Sequence, residues 1–194
     1  FTSLYTGMRR SELLALRWSE VDLLGYEAYV TRSLHQLKDG SLVYGAPKSA
    51  KSRRMVSLTP DNASVLREYR EKQAAERLML GIPLEDDDLI FSHYDSRALL
   101  PSSVSHAWVK LVARCGLKRI RFHDARHSHA SLMLKQGIHP KIVQERLGHA
   151  TIAVTLDTYS HVTPGIQEAA AASFDKAFTG KYNVPDDETV KNFR

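Results

Sequence analysis

The stretch from His123 to Val162, HDARHSHASLMLKQGIHPKIVQERLGHATIAVTLDTYSHV, constrains this chain more than any other, because it strings out groups that are chemically useful only when folded together. It holds a His-x-x-Arg pair, His123 and Arg126, then His149 after Leu147-Gly148, then Tyr159. Arg126 can fork two hydrogen bonds onto the oxygens of a phosphate. His123 and His149 can donate or shuttle protons near neutral pH. Tyr159 carries a hydroxyl that can attack as a covalent nucleophile. No cluster of carboxylates lies in this stretch to hold Mg²⁺, so charge on a phosphorus would be met by protein side chains. Taken singly, the same residues have ordinary uses. A tyrosine is commonly a half-buried aromatic with its hydroxyl outward, and one helix cannot aim His123, His127 and His129 together at a metal.

Glycine and proline divide the chain into elements. Phe1 to Tyr5 reads as the end of a helix stopped near Gly7, and Ser11 to Arg17 as another with Leu13, Leu14 and Leu16 on one side. The turn between them puts Arg9 beside a helix start, with Glu12 three residues on, either orienting Arg9 or acting as a first-turn acid. Tyr26 to Leu37 reads as a strand, Lys38-Asp39-Gly40 as a hairpin turn, Ser41 to Ala46 as a second strand and Arg54 to Leu58 as a third. Thr59-Pro60 starts a helix to Leu80. Further helices are expected over Ser102 to Cys115, from His123 or Asp124 to Gln136, over Pro140 to Leu147, from Thr151 toward Tyr159, and from Pro164 to Phe178. The fold class is therefore α+β, mostly helical with a small antiparallel β-sheet. One domain is expected over 1–178, with 179–194 as a loose tail.

Composition narrows the function. The 194 residues are 43% hydrophobic, enough for one good core, and no run is long enough to span a bilayer. Cys115 is the single cysteine, so no internal disulfide forms, which suits a reducing cytoplasm. Phe1 already sits in a plausible helix, so the sequence reads as lacking its natural start. Net charge is +5, which permits a polyanionic partner. The distribution says more: Lys48, Lys51, Arg53 and Arg54 crowd one segment, and Lys118, Arg119, Arg121 and Arg126 another. A charge run is usually a solvated face. Both of these runs lie beside the phosphate-suited residues, which favours a phosphate-facing role for Arg10, Lys51, Arg53, Arg54 and Arg121.

The order and spacing of these groups resemble the tyrosine recombinase (phage integrase) family, in its catalytic domain. Besides the His123–Tyr159 elements, Thr6-Gly7-Met8-Arg9-Arg10-Ser11-Glu12 looks like the family's first-arginine box, and Pro47-Lys48-Ser49 like its lysine hairpin. The likeness covers about Phe1 to Val162. It implies catalytic roles for Arg9, Lys48, His123, Arg126, His149 and Tyr159, with Glu12 and His127 in support. By this likeness Arg9, Arg126 and His149 hold the phosphate, His123 takes the tyrosine proton and Lys48 protonates the leaving 5′ oxygen, with Lys51 a rival for that last role. The implied product is a 3′-phosphotyrosyl bond, formed without metal or other cofactor. The implied partner is double-stranded DNA at attachment sites, with a homotetramer on DNA for the full-length protein, no membrane, and a bacterial, cytoplasmic setting in a phage or other mobile element. Ala125 and Ser57 depart from the family's usual Leu and Pro. Two rival readings remain at this point, an inactive DNA-binding relic and a type IB topoisomerase-like enzyme.

Overall fold

In the computed structural model, residues 1–46, 53–160 and 166–179 are described. By compactness the chain divides into Phe1–Val162 and Thr163–Arg194. The division expected after residue 178 follows the end of the apolar pattern instead. The second unit contributes helix α8, Ile166–Thr179, on which the rings of Phe174 and Phe178, one turn apart, meet at a tilt. Everything below concerns the first unit.

Two short helices open the chain, α1 (Thr2–Thr6) and α2 (Arg10–Leu13). Gly7 ends α1 in the left-handed conformation, φ 66°, and a Cβ there would come 2.4 Å from Leu147 Cδ2 and 2.8 Å from His129 Cδ2. Both the dihedral and the close approach call for glycine. Gly7→Ala is therefore expected to cost about 1 kcal/mol or more, read as a fall in the thermal midpoint.

The helix expected over Ser11 to Arg17 closes at Leu13. The reason is burial on every side: Leu14 and Ala15 enter one apolar cluster, while Leu13 and Leu16 enter another. A continuing helix would have turned one of them to water. A 3₁₀ turn at Trp18–Glu20 follows, then β1 (Val21–Asp22), β2 (Glu27–Val30), β3 (Ser33–Gln36), β4 (Leu42–Gly45) and β5 (Arg54–Ser57). The single strand expected from Tyr26 to Leu37 is thus two strands. At the break, Thr31 and Arg32 both turn their side chains to Glu20, and the backbone leaves one ladder for another. In place of one small sheet there are two among the described residues, both antiparallel: β1-β2-β5, and the β3-β4 hairpin around Lys38-Asp39-Gly40.

The main core lies under the three-stranded sheet. Ala28 and Val30 of β2 and Val56 of β5 alternate inward and meet Met8, Trp18 and Leu66. Leu66 comes from α3 (Pro60–Leu78), started by Thr59, whose hydroxyl accepts from the Asn62 amide. The remaining helices are α4 (Pro101–Arg114), α5 (Asp124–Lys135), α6 (Pro140–Leu147) and α7 (Ile152–Ser160). Ala130 and Leu134 of α5 pack on Val143 and Leu147 of α6. None of the helices among the described residues is long and apolar enough to cross a membrane.

Candidate active site

The C-terminus of α6 organises the site. A helix leaves its last carbonyls without partners inside the helix. Here Gly148 stops α6 with φ 65°, and the carbonyls of residues 146, 147 and 148 are taken by three arginines from three distant segments. Arg54 Nε of β5 donates to the Arg146 carbonyl at 2.7 Å. Arg126 Nη2 of α5 donates to the Leu147 carbonyl at 2.6 Å, and Arg9 Nη2, at the start of α2, donates to the Gly148 carbonyl at 3.1 Å. The negative end of the helix dipole favours cations at this place. Gly148 also meets a space limit, since a Cβ there would lie 3.0 Å from Arg54 Nη1.

Arg126 is 3% exposed, and its other Nη donates to the Gly7 carbonyl at 2.8 Å. Burial, and then the charge of Arg9, press its pKa down to about 9, so it is still protonated at neutral pH. Its described hydrogen bonds go to neutral carbonyls, so an arriving anion would relieve a real electrostatic cost. Arg9 is one-third exposed and held from behind by Glu12. Glu12 Oε1 accepts from Arg9 Nη1 at 2.7 Å, and Oε2 from the Arg9 amide at 2.8 Å.

His149 follows Gly148 directly. Its Nδ1 lies 2.9 Å from the hydroxyl of Thr155, which is fully buried on α7. Burial, then the charges of Arg126 and Arg9, lower the His149 pKa to about 4, so the ring is neutral at pH 7. A neutral ring donates from Nε2 only when Nδ1 accepts, and the Thr155 hydroxyl can supply that hydrogen. Thr155→Val is expected to lose about 1 kcal/mol of stability for the buried hydrogen bond and to shift the His149 tautomer. The nitrogen shifts of the His149 ring report the second effect, and Thr155→Ser should restore them.

His123 stands at the start of α5, with its ring edge-on to His127 at 4.9 Å. Burial first, then the neighbouring charges of His127 and Arg126, lower its pKa, which keeps a proton-accepting nitrogen available at neutral pH. His123 and Arg9 line a cavity of about 840 Å³, whose wall also includes Arg10, His35, Arg119 and Arg121. Trp108 fixes the segment bearing Arg119 and Arg121, because its indole N–H donates to the Ile120 carbonyl at 3.1 Å and its ring meets Phe122 edge-on.

The structure thus gathers Arg9, Glu12, Arg126 and His149 around one turn, with His123 at the adjoining cavity and His127 against the His123 ring. Tyr159 lies on α7, one turn after Thr155; its side chain is outside the described residues, as are Lys48 and Lys51. Arg53 is exposed, Arg10 is tied to the Ser105 hydroxyl, and Arg121 is exposed and paired with Asp124 at 3.0 Å. Arg54 differs from its expected place facing DNA. Its side chain is 6% exposed and its fork meets Glu12, at 3.1 and 2.9 Å, because the carboxylate lies inside the protein behind Arg9.

Thr155, Arg146 and His129 had no expected role in the site. The last two form a brace to α1: Arg146 Nε donates to His129 Nε2, His129 Nδ1 meets the Leu4 carbonyl, and Arg146 Nη2 donates to the Tyr5 carbonyl. Only Thr155 carried a signal, its place one turn ahead of Tyr159.

With this geometry in view, comparisons place the chain. It matches the phage integrase family over residues 2–165. It is similar to the ICEBs1 integrase of Bacillus subtilis, 35% identical over 173 residues that cover 88% of this chain and 46% of the relative. A XerC-like tyrosine recombinase of Caldanaerobacter subterraneus is 29% identical over 184 residues, covering 89% of this chain and 47% of that protein. The chain spans about half the length of these curated relatives. Among solved structures, the Tn1549 transposon integrase in complex with transposon right-end DNA shares the fold, with a TM-score of 0.74 at 18% identity, over 90% of this chain and 56% of that one. XerA recombinase does so with a TM-score of 0.64 at 23% identity, over 89% of this chain and 55% of that one. The mixed helical fold and the match over nearly its whole length make this chain a member of the phage integrase family of tyrosine recombinases.

Proposed function

We propose that this chain cleaves and rejoins DNA strands as the catalytic part of a site-specific recombinase of a bacterial mobile element, acting on duplex DNA in the cytoplasm. The observation that carries the reading is the gathering of Arg9, Arg126 and His149 on the turn at the end of α6, with the helix of Tyr159 following it. A phosphodiester under attack gains charge on its non-bridging oxygens. Two guanidinium groups and an imidazole N–H, already fixed by the backbone, meet that charge without having to reorganise.

The Tyr159 oxygen attacks phosphorus, and the bond from phosphorus to the 5′ oxygen breaks. At pH 7 only about one free tyrosine in a thousand is ionised, so the proton must leave as the bond forms. His123 accepts it. Lys48, or Lys51 in its stead, delivers a proton to the departing 5′ oxygen. The result is a 3′-phosphotyrosyl bond and a free 5′ hydroxyl, and attack by a 5′ hydroxyl of another strand reverses the step on a new partner. One phosphoester replaces another, so the exchange consumes no nucleotide. Exchange between two duplexes calls for four copies of the full-length protein. DNA-bound relatives of the same fold, such as the transposon integrase above, support duplex DNA as the partner.

The test uses the protein at its natural full length and a nicked duplex carrying the attachment site of the parent element. A covalent adduct should survive denaturation, persist in EDTA and vanish in Tyr159→Phe. An adduct that survives Tyr159→Phe, or no adduct at all, overturns the reading.

A further inference from the structure

Glu12 carries more partners than one carboxylate needs to hold Arg9. Its Oε1 accepts from Arg9 Nη1 and Arg54 Nη1, and its Oε2 from the Arg9 amide and Arg54 Nη2. The two arginines are not equivalent. Arg9 is partly open to the site, whereas Arg54 and Glu12 are buried together. Arg54 faces the carboxylate with the two parallel N–H groups of its fork, the strongest pairing that these groups make. Arg9 meets it through a single Nη and a backbone amide.

Charge is what this arrangement distributes. With Arg9 alone, Glu12 would neutralise the cation it positions, and the pair would offer a phosphate almost no net attraction. With Arg54 behind it, the trio keeps one net positive charge, and its exposed end is Arg9. Screening between such buried groups is weak, so the balance is felt at the distance of a hydrogen-bonded neighbour.

We propose that Arg54 is a positioning residue that supplies the counter-charge of Glu12, so that Glu12 can aim Arg9 while the charge of Arg9 remains for the phosphate. The proposal rests on the reading of Arg9 as a phosphate holder. It gives Arg54 no contact with DNA and no contact with the reacting atoms. Its bond to the Arg146 carbonyl serves the same end, fixing β5 to the turn that also receives Arg9.

The test separates charge from packing by binding inorganic phosphate, followed by nitrogen-edited NMR of the arginine side chains, in the full-length protein. Arg54→Met keeps the length and removes the charge, and should weaken phosphate binding about tenfold. Arg54→Lys restores the charge without the fork, and should recover most of that loss. The double variant Glu12→Gln with Arg54→Met removes both charges, and should bind phosphate more tightly than Arg54→Met alone, by about threefold or more. A simple scaffold role predicts that the double variant is as weak as Arg54→Met, and a direct phosphate contact predicts the same; either result overturns the proposal. Should the double variant not fold, a folded Arg54→Lys that binds as weakly as Arg54→Met overturns it equally. The adduct assay stands apart. No adduct beside recovered phosphate binding would remove the cleavage reading and leave this one, whereas an adduct from a protein whose phosphate affinity ignores Arg54 would do the reverse.

Discussion

Glu12→Gln is expected to destabilise the protein by about 3–5 kcal/mol, the usual cost of leaving a buried charge without its partner. Glutamine has nearly the shape of glutamate, so packing is not the cause. Its amide presents one oxygen and one NH₂ where the fork of Arg54 and the two donors of Arg9 call for two acceptors. At least one donor then faces another donor. Arg54 is left buried near Arg9 and Arg126 without the carboxylate that had balanced its charge.

The effect should depend on pH in a definite direction. Burial alone would raise the Glu12 pKa, but the hydrogen bond and charge of Arg54, followed by the amide and charge of Arg9, outweigh it and hold the group at about 2. The folded value lies below the unfolded one, so this stabilisation is complete above about pH 4.5 and is lost as the pH falls toward 2. That span corresponds to about 3 kcal/mol. Urea unfolding of both proteins between pH 7 and pH 2 measures it. The gap between them should be wide and flat near neutrality and should narrow below pH 4.5. A gap that does not change with pH would mean that the charge of Glu12 is not what stabilises.

Arg126→Ala is expected to strike stability and rate together. The missing guanidinium leaves the carbonyls of Gly7 and Leu147 unpaired in the interior, at a cost of about 1–3 kcal/mol each. It also removes one donor from the phosphate, for which a loss of about 10² to 10³ in rate is typical. Arg126→Lys divides the two effects. A lysine keeps the charge but not the planar fork, and it cannot hold both carbonyls while presenting a donor to a ligand. Adduct formation followed in a single turnover, well below the thermal midpoint of each variant, tells them apart. A slow Lys variant of near-normal midpoint places the loss at the phosphate. A rate that recovers wherever stability recovers would make Arg126 a brace only.

What the sequence made legible follows from how local each cause is. Helix α6 appears where Pro140 and Gly148 bound an apolar repeat, and α3 where Thr59-Pro60 opens one, because caps and breakers act within a few residues. Arg9, Arg126 and His149 stood out because spacing and motif carried them. Arg54 was expected to face DNA with the other basic residues between positions 48 and 54, and what buries it instead is a carboxylate 42 positions earlier in the chain. The break between β2 and β3 was hidden for a similar reason. Thr31 and Arg32 fit a strand as well as their neighbours do, and only Glu20, brought near by the fold, draws them out of the ladder. The early end of α2 depends on two clusters competing for adjacent leucines, which no helical repeat encodes.

Three arginines that share three successive carbonyls also set what kind of change this protein can tolerate over evolutionary time. The carbonyls of 146, 147 and 148 act as a ruler, one mark per residue. A substitution in that turn alters one mark. Insertion or deletion of a single residue there shifts the reading frame of the ruler, so that strands, helices and cations drawn from three separate regions lose their common alignment at once. The tip of the β3–β4 hairpin, by contrast, is exposed, its described side-chain hydrogen bonds are the local ones between Asp39 and Ser41, and it can change length freely. Diverged relatives should accordingly vary in length at the hairpin and keep one spacing from Arg146 to His149.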